Sequence, residues 1–221
     1  MEPIGGVAAH SETVDAEDCP AVDVSALPYM TGASYAGALR LILLTGLRRE
    51  EVSTLCWRHL QLDGAAPTLL IERKRRKNTK PGRVLPDLVV PLSLQAATFL
   101  RTIGPGCDDD PVFKAPRGGA LRNWGRWHPT FLAQTQTTGW HRHDLRRTAS
   151  TLAGDLGHPP HITDRILGHA EPAGALNAVY NRSSYQHEHR AALQDLADAL
   201  DRIKAGAPGR EDNLFVFRRA L

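Results

Sequence analysis

Side chains able to handle a phosphate fall into one stretch of this 221-residue chain. His143 and Arg146 stand three residues apart, Gly168-His169 follows, and Tyr180 closes the run. Upstream, Arg48 lies three residues before Glu51, and ERKRRKNTKPGR (72–83) holds seven basic residues and one acid. Arginine presents a planar fork of donors that matches two phosphate oxygens, and it stays charged at any working pH. Two such forks and a histidine could neutralise the charge that grows on non-bridging oxygens in a phosphoryl transition state. A tyrosine hydroxyl, with a reference pKa of about 10, becomes a useful nucleophile only beside such positive charge. A lysine on a loop could protonate a leaving oxygen. Guanidinium groups would supply the field themselves, and no cluster of carboxylates suited to Mg²⁺ stands out in the sequence. No metal and no cofactor are therefore expected.

Each residue also has a plainer reading. Arg48 could be a surface ion pair with Glu51, His143 a helix-terminal histidine, and Tyr180 a core aromatic with its hydroxyl at the surface. Lys77 is one of several lysines in its block. His141, His143, His158 and His161 could form a zinc site, although no cysteine joins them.

Positioning these residues falls to a mainly helical chain. From about Tyr35, AGALRLILLTG has helical spacing through Leu39, Ile42 and Leu43. After Gly46, LRREEVSTLCW resumes as a second helix carrying Leu47, Val52, Leu55 and Trp57. This puts Arg48 at its start and Glu51 on the same face. Leu62-Asp63-Gly64 reads as a turn. Thr68–Ile71 and 88–92 read as two strands of a hairpin with the basic block near its tip. Ser93 is the expected N-cap of LQAATFLRTIG, and 111–113 a short strand. Trp124, Trp127 and Phe131 recur at helical spacing, which favours core over a base-stacking platform. His143 opens a helix reaching Leu156 with Leu145, Ala149 and Leu152 inward, and Gly157 stops it. Pro159-Pro160 starts the next helix, with Ile162, Ile166 and Leu167 inward, and Gly168 ends it. A short helix around ALNAVYNR carries Tyr180. The last helix spans roughly 186–204, with Leu193, Leu196, Leu200 and Ile203 on one side.

Composition sets the bounds. A hydrophobic fraction of 42% and a charged fraction of 23% suit a globular protein rather than a membrane-spanning one. Cys19, Cys56 and Cys107, odd in number and widely spaced, read as neither a disulfide framework nor a zinc knuckle, and a cytoplasmic location is the expectation. The net charge of +3 hides an asymmetry, because residues 1–27 hold six acids and no Lys or Arg. The remainder carries 27 basic against 18 acidic residues, which suggests a polyanionic partner. Residues 1–27 read as a disordered acidic lead-in, 28–204 as the folded domain, and 205–221 as a tail with a possible strand.

TGLRREEVSTLCW (45–57), HDLRRTAST (143–151), ITDRILGH (162–169) and AVYNR (178–182) occur in an order that resembles the catalytic domain of tyrosine recombinases, the phage-integrase family. The run PPHITDRILGH with VYNRSSYQHEHRAALQDLADAL looks most like integrases of prophages and genomic islands. The resemblance covers about residues 36–203. It implies an α+β, mainly α-helical catalytic-domain fold with a small antiparallel β-hairpin or sheet on one side. It also implies site-specific DNA integration or excision through a 3′-phosphotyrosyl intermediate. Arg48, Arg146 and His169 would hold the phosphate, Tyr180 would attack it, His143 would assist proton transfer or buttress the site, and Glu51 would support Arg48. Lys77 is the preferred general acid, with Lys74 and Lys80 as alternatives. Arg73, Lys74, Arg75, Arg76, Lys80 and Arg147 are expected to contact DNA. The implied partners are double-stranded attachment-site DNA and a homotetramer on synapsed DNA, with no membrane. Family members usually carry a helical core-binding domain first, and none is evident in 1–27. The alternative expectation is therefore a truncated, non-catalytic DNA-binding remnant.

Overall fold

The computed structural model describes residues 30–76, 86–168 and 185–205. Its elements in chain order are α1 (Met30–Thr45), α2 (Arg49–Ser53), β1 (Leu60–Gln61), β2 (Thr68–Ile71), β3 (Leu88–Pro91), α3 (Leu94–Ile103), α4 (Trp124–Thr135), α5 (Arg142–Asp155), α6 (Pro160–Ile166) and α7 (Gln186–Lys204). The expectations for 1–27, for the helix around ALNAVYNR and for most of the tail lie outside the described residues.

α1 is the hub. Its sequence is apolar almost all round rather than along one stripe, and such a helix must be surrounded. Tyr35, Ala38, Leu39, Leu41, Ile42 and Leu44 are all buried, with α2, α3, α4, α5 and α7 packed about them. Each fully buried leucine or isoleucine contributes roughly 2 kcal/mol of transfer free energy. The aromatic stripe of α4 joins this core. Tyr35 meets Trp124 edge-on at 5.4 Å between ring centroids and Phe131 at 5.7 Å.

A three-stranded antiparallel sheet, ordered β1-β2-β3, flanks the helices. Thr68 pairs with Pro91 and Ile71 with Leu88. Leu69, Ile71 and Val90 are buried, while Val89 points outward at 41% exposure. The alternation is that of a sheet with one face on the core. β3 runs into α3 through Ser93, whose Oγ accepts from the Ala96 N–H at 3.2 Å, as an N-cap should. α5 closes with His158 N–H on the Ala153 carbonyl and Gly157 N–H on the Gly154 carbonyl, a Schellman arrangement.

Four expectations change. The second helix stops at Ser53 instead of running to Trp57, which lies in a 3₁₀ turn, Trp57–His59. Ser53 Oγ and Thr54 Oγ1 both donate to the Glu50 carbonyl, and such hydroxyl bonds compete with helix propagation. β1 adds a third strand too short to leave a period in the sequence. Residues 111–113 form only an isolated bridge, Pro111 to Cys56. Ile203, expected inward, is 56% exposed near the end of α7.

Candidate active site

α1 ends at Gly46, which takes φ +65° and donates its N–H to the Ile42 carbonyl at 2.8 Å. A Cβ there would lie 2.6 Å from Ile166 Cγ2 and 2.8 Å from the Ile166 oxygen. Only glycine lets the ends of α1 and α6 meet so closely.

Arg48 follows as the cap residue of α2, in extended backbone. Its backbone N–H donates to Glu51 Oε2 at 2.7 Å and its Nη1 to Glu51 Oε1 at 3.3 Å. Glu51 is 1% exposed and gives both carboxylate oxygens to this one residue. The pairing read from sequence is present, and burial turns it into an orienting device for the Arg48 guanidinium.

Arg146 lies on the inner side of α5, 5% exposed. Its Nη1 donates to the Gly46 carbonyl and its Nη2 to the Leu167 carbonyl at 2.9 Å. Burial, then the charge of Arg48, lowers its pKa to about 10, while Glu51 and Glu50 pull it back up. It therefore remains a cation at neutral pH. Beyond Leu167, Gly168 turns with φ +59°. A Cβ on Gly168 would sit 3.3 Å from Leu88 Cδ2 and 3.6 Å from Arg48 Nη1, and its carbonyl accepts from Arg76 Nη2 at 3.1 Å. Three guanidinium groups thus address the two-residue turn Leu167-Gly168.

Arg48, His143 and Arg146 share a cleft of about 410 Å³, lined also by Ile42, Arg49, Glu50, His141 and Arg142. The N-terminus of α5 opens into it and contributes the positive end of a helix dipole. His141 caps that end, its N–H donating to Asp144 Oδ2 at 2.8 Å. That bond, aided by the charges of Arg147 and His141, holds the Asp144 carboxyl below its usual range. Among the described residues, the lining carries four arginines against one carboxylate, Glu50, so the cleft can receive an anion.

Sequence reasoning missed Arg142, which lines the cleft and donates from Nη1 to the Trp124 carbonyl at 3.1 Å. It also missed the buried bonds that steady this end of α5. His128 Nε2 lies 3.0 Å from the Trp140 carbonyl, and His128 Nδ1 lies 3.0 Å from Tyr35 Oη. A carbonyl only accepts, so Nε2 carries the proton, and in the neutral ring Nδ1 accepts from the tyrosine. Burial raises the Tyr35 pKa, opposed by Arg142 beside it. The helical spacing of Trp124, Trp127 and Phe131 marked this helix as core, and His128, four residues after Trp124, was the available signal that went unread.

The expected DNA contacts divide. Arg73 and Lys74 are exposed, with Lys74 Nζ 3.2 Å from Glu72. Arg75 is half-buried, its Nε 3.1 Å from Glu72 and its Nη1 donating to the Thr54 carbonyl. Arg76 departs from the expected open basic surface. It is buried and donates to the Pro86 carbonyl at 2.7 Å as well as to Gly168. Arg147 is exposed and paired with Asp144 at 3.2 Å. Lys77, Lys80, His169 and Tyr180 lie outside the described residues. The four histidines of the zinc alternative do not gather. His158 pairs with Asp195 at 3.0 Å and His161 lies against the Tyr185 ring, and the described residues hold no group of three or more metal-ligating side chains.

Residues 24–187 match the phage integrase family. The chain belongs to that family. Prophage integrase IntZ of Escherichia coli (strain K12) is 32% identical over 181 residues, covering 76% of this chain and 40% of the relative. This phage integrase family member therefore spans about 40% of the length of that curated relative. Among solved structures, an integrase from mycobacterium phage Brujita superposes with a TM-score of 0.53 at 14% identity, over 74% of this chain and 51% of the other. The likeness is one of fold. The mainly helical body with its small antiparallel sheet is the tyrosine recombinase catalytic-domain fold implied by the motifs. Among the described residues, no helix is long and apolar enough to cross a membrane.

Proposed function

We propose that this integrase family member cuts and rejoins double-stranded DNA at attachment sites, integrating or excising a mobile element. The observation that carries the reading is the convergence of Arg48, from the start of α2, with His143 and Arg146, from the far later α5, on one cleft at the N-terminus of α5. Two guanidinium groups there suit the equatorial oxygens of a phosphodiester, where charge grows as the transition state forms.

In this reading Tyr180 Oη attacks the scissile phosphorus. The bond from phosphorus to the 5′-oxygen breaks, and a 3′-phosphotyrosyl link takes its place. Lys77 gives the leaving 5′-oxygen its proton, and His143 assists removal of the proton from Tyr180. Arg48, Arg146 and His169 hold the non-bridging oxygens, with Glu51 keeping Arg48 in place. A 5′-hydroxyl from a partner strand then attacks the phosphotyrosyl link, so bond energy is conserved without a nucleotide cofactor. Residues 28–204 form the catalytic unit, Arg73, Lys74 and Arg147 add phosphate contacts, and four copies act together on synapsed DNA.

Covalent trapping tests this. Incubated with nicked attachment-site DNA, the chain should form an SDS-resistant protein–DNA adduct that Tyr180→Phe abolishes. A folded wild-type chain that binds the DNA yet forms no adduct would overturn the reading.

A further inference from the structure

Arg76 stands in a run of basic residues that would ordinarily be assigned to phosphate contacts, yet its side chain is only 8% exposed. Its planar fork bridges two backbone carbonyls from separate parts of the chain. Nη1 donates to Pro86 at 2.7 Å and Nη2 to Gly168 at 3.1 Å. Pro86 leads into β3, whose first residue, Leu88, lies against Gly168. Gly168 ends α6 directly after Leu167, whose carbonyl is taken by Arg146. The last carbonyls of a helix have no partners within it and carry the negative end of its dipole, so two guanidinium groups there form a cap from outside. Burying a guanidinium is costly unless oriented acceptors meet it, and here the acceptors fix its position in turn.

We infer that Arg76 is a positioning residue: it locks the Leu167-Gly168 turn against the root of the β2–β3 connection and so sets the turn's distance from Arg48. The inference rests on the proposed function and deepens it. Arg76 immediately precedes Lys77 and Gly168 immediately precedes His169, and neighbouring Cα atoms lie about 3.8 Å apart. One side chain therefore ties together the backbone points from which the expected general acid and a phosphate-holding histidine depart.

A DNA-contacting arginine and a positioning arginine answer differently to replacement by lysine. Arg76→Lys keeps the charge but loses the rigid fork that spans two carbonyls. With labelled attachment-site duplex, its affinity and the salt dependence of binding should match the wild type within about threefold. With nicked DNA at saturation, the single-turnover rate of adduct formation should fall on the order of 10- to 100-fold. The final adduct yield should be unchanged, at a temperature well below the melting midpoint of each protein. Arg76→Met, if it folds, should show the same slowed rate. A merely destabilised protein would lose yield while its active fraction reacted at the normal rate, and that result would overturn the inference. So would weakened binding with a shallower salt slope and a normal rate, which marks an ordinary phosphate contact. No adduct from the wild type would remove the functional reading and this inference with it; a wild-type adduct alongside an unslowed Arg76→Lys removes this inference alone.

Discussion

The inner face of α5 and the first turn of α7 each bury a basic side chain, with opposite results. Arg146 is buried between two helix ends that offer it the carbonyls of Gly46 and Leu167, and with its pKa lowered only to about 10 it keeps its charge. His189, in the first turn of α7, is 1% exposed, and neither ring nitrogen has a hydrogen-bond partner among the described residues. Burial, followed by the charges of Arg165 and Arg190, lowers its pKa to about 4, so at neutral pH it is uncharged. Burial and neighbouring cations lower both groups. The guanidinium starts far above neutral pH and the imidazole just below it, so only the first stays charged. What the cleft adds is carbonyl acceptors that fix the direction of the guanidinium.

The largest effect should come from Arg146. Arg146→Met leaves two carbonyls without their donor and removes one of the two arginines, Arg48 and Arg146, proposed to hold the phosphate. Adduct formation in single turnover should fall by roughly 100-fold or more. With DNA at saturation, the neighbouring Arg147→Met, on the exposed face of the same helix, should weaken binding but slow the bound step less than about threefold. Equal losses at the two positions would erase the distinction between an arginine held for chemistry and one held at the surface.

Next comes His189, through pH. With a folded pKa near 4 and an unfolded value near 6.5, the unfolded chain binds a proton in this window that the folded chain refuses. Stability therefore declines as pH falls below about 6.5, and this loss levels off below about 4, amounting to at most about 3 kcal/mol. His189→Leu removes the group without breaking a hydrogen bond, so it should be neutral or stabilising at pH 7. Urea unfolding at pH 7 and at pH 4.5 should show a smaller gap between the two conditions in the variant; an unchanged gap would place the acid sensitivity elsewhere.

The smallest effect concerns Glu51, the acid that orients Arg48. Glu51→Gln presents an amide where the carboxylate gives both oxygens to Arg48, so one contact becomes donor against donor. A loss of about 2 kcal/mol in urea unfolding at pH 7 is expected. A variant as stable as the wild type would mean that Arg48 does not depend on this carboxylate for its place.

Legibility from sequence followed the range of the interactions. The α3 cap at Ser93, the strands Thr68–Ile71 and Leu88–Pro91, the inward placement of Ile162 and Ile166, and the Arg48–Glu51 pair all depend on neighbours a few residues apart. These were readable. The early end of α2 was not, because hydroxyl bonds from Ser53 and Thr54 outweighed an apolar spacing that continued past them. β1 consists of two residues and exists only because β2 lies beside it. Arg142, Arg75 and Arg76 look alike as letters, yet one lines the cleft, one is shared between Glu72 and a carbonyl, and one bridges two distant backbones. The polar contacts of His128 were hidden for the same reason, since its partners come from α1 and from the loop before α5.

By itself the sequence determined the residue types, the helical and strand periods, the turn at Gly46 and the ordered motifs that mark a phage integrase. These are local properties, set by backbone sterics and by which side chains can share a face. Only the tertiary structure decided which arginines meet, which are consumed by carbonyls and which bases are buried. Those outcomes depend on helix ends and acceptors brought in by distant segments, and a string of residues does not carry either until the chain has folded.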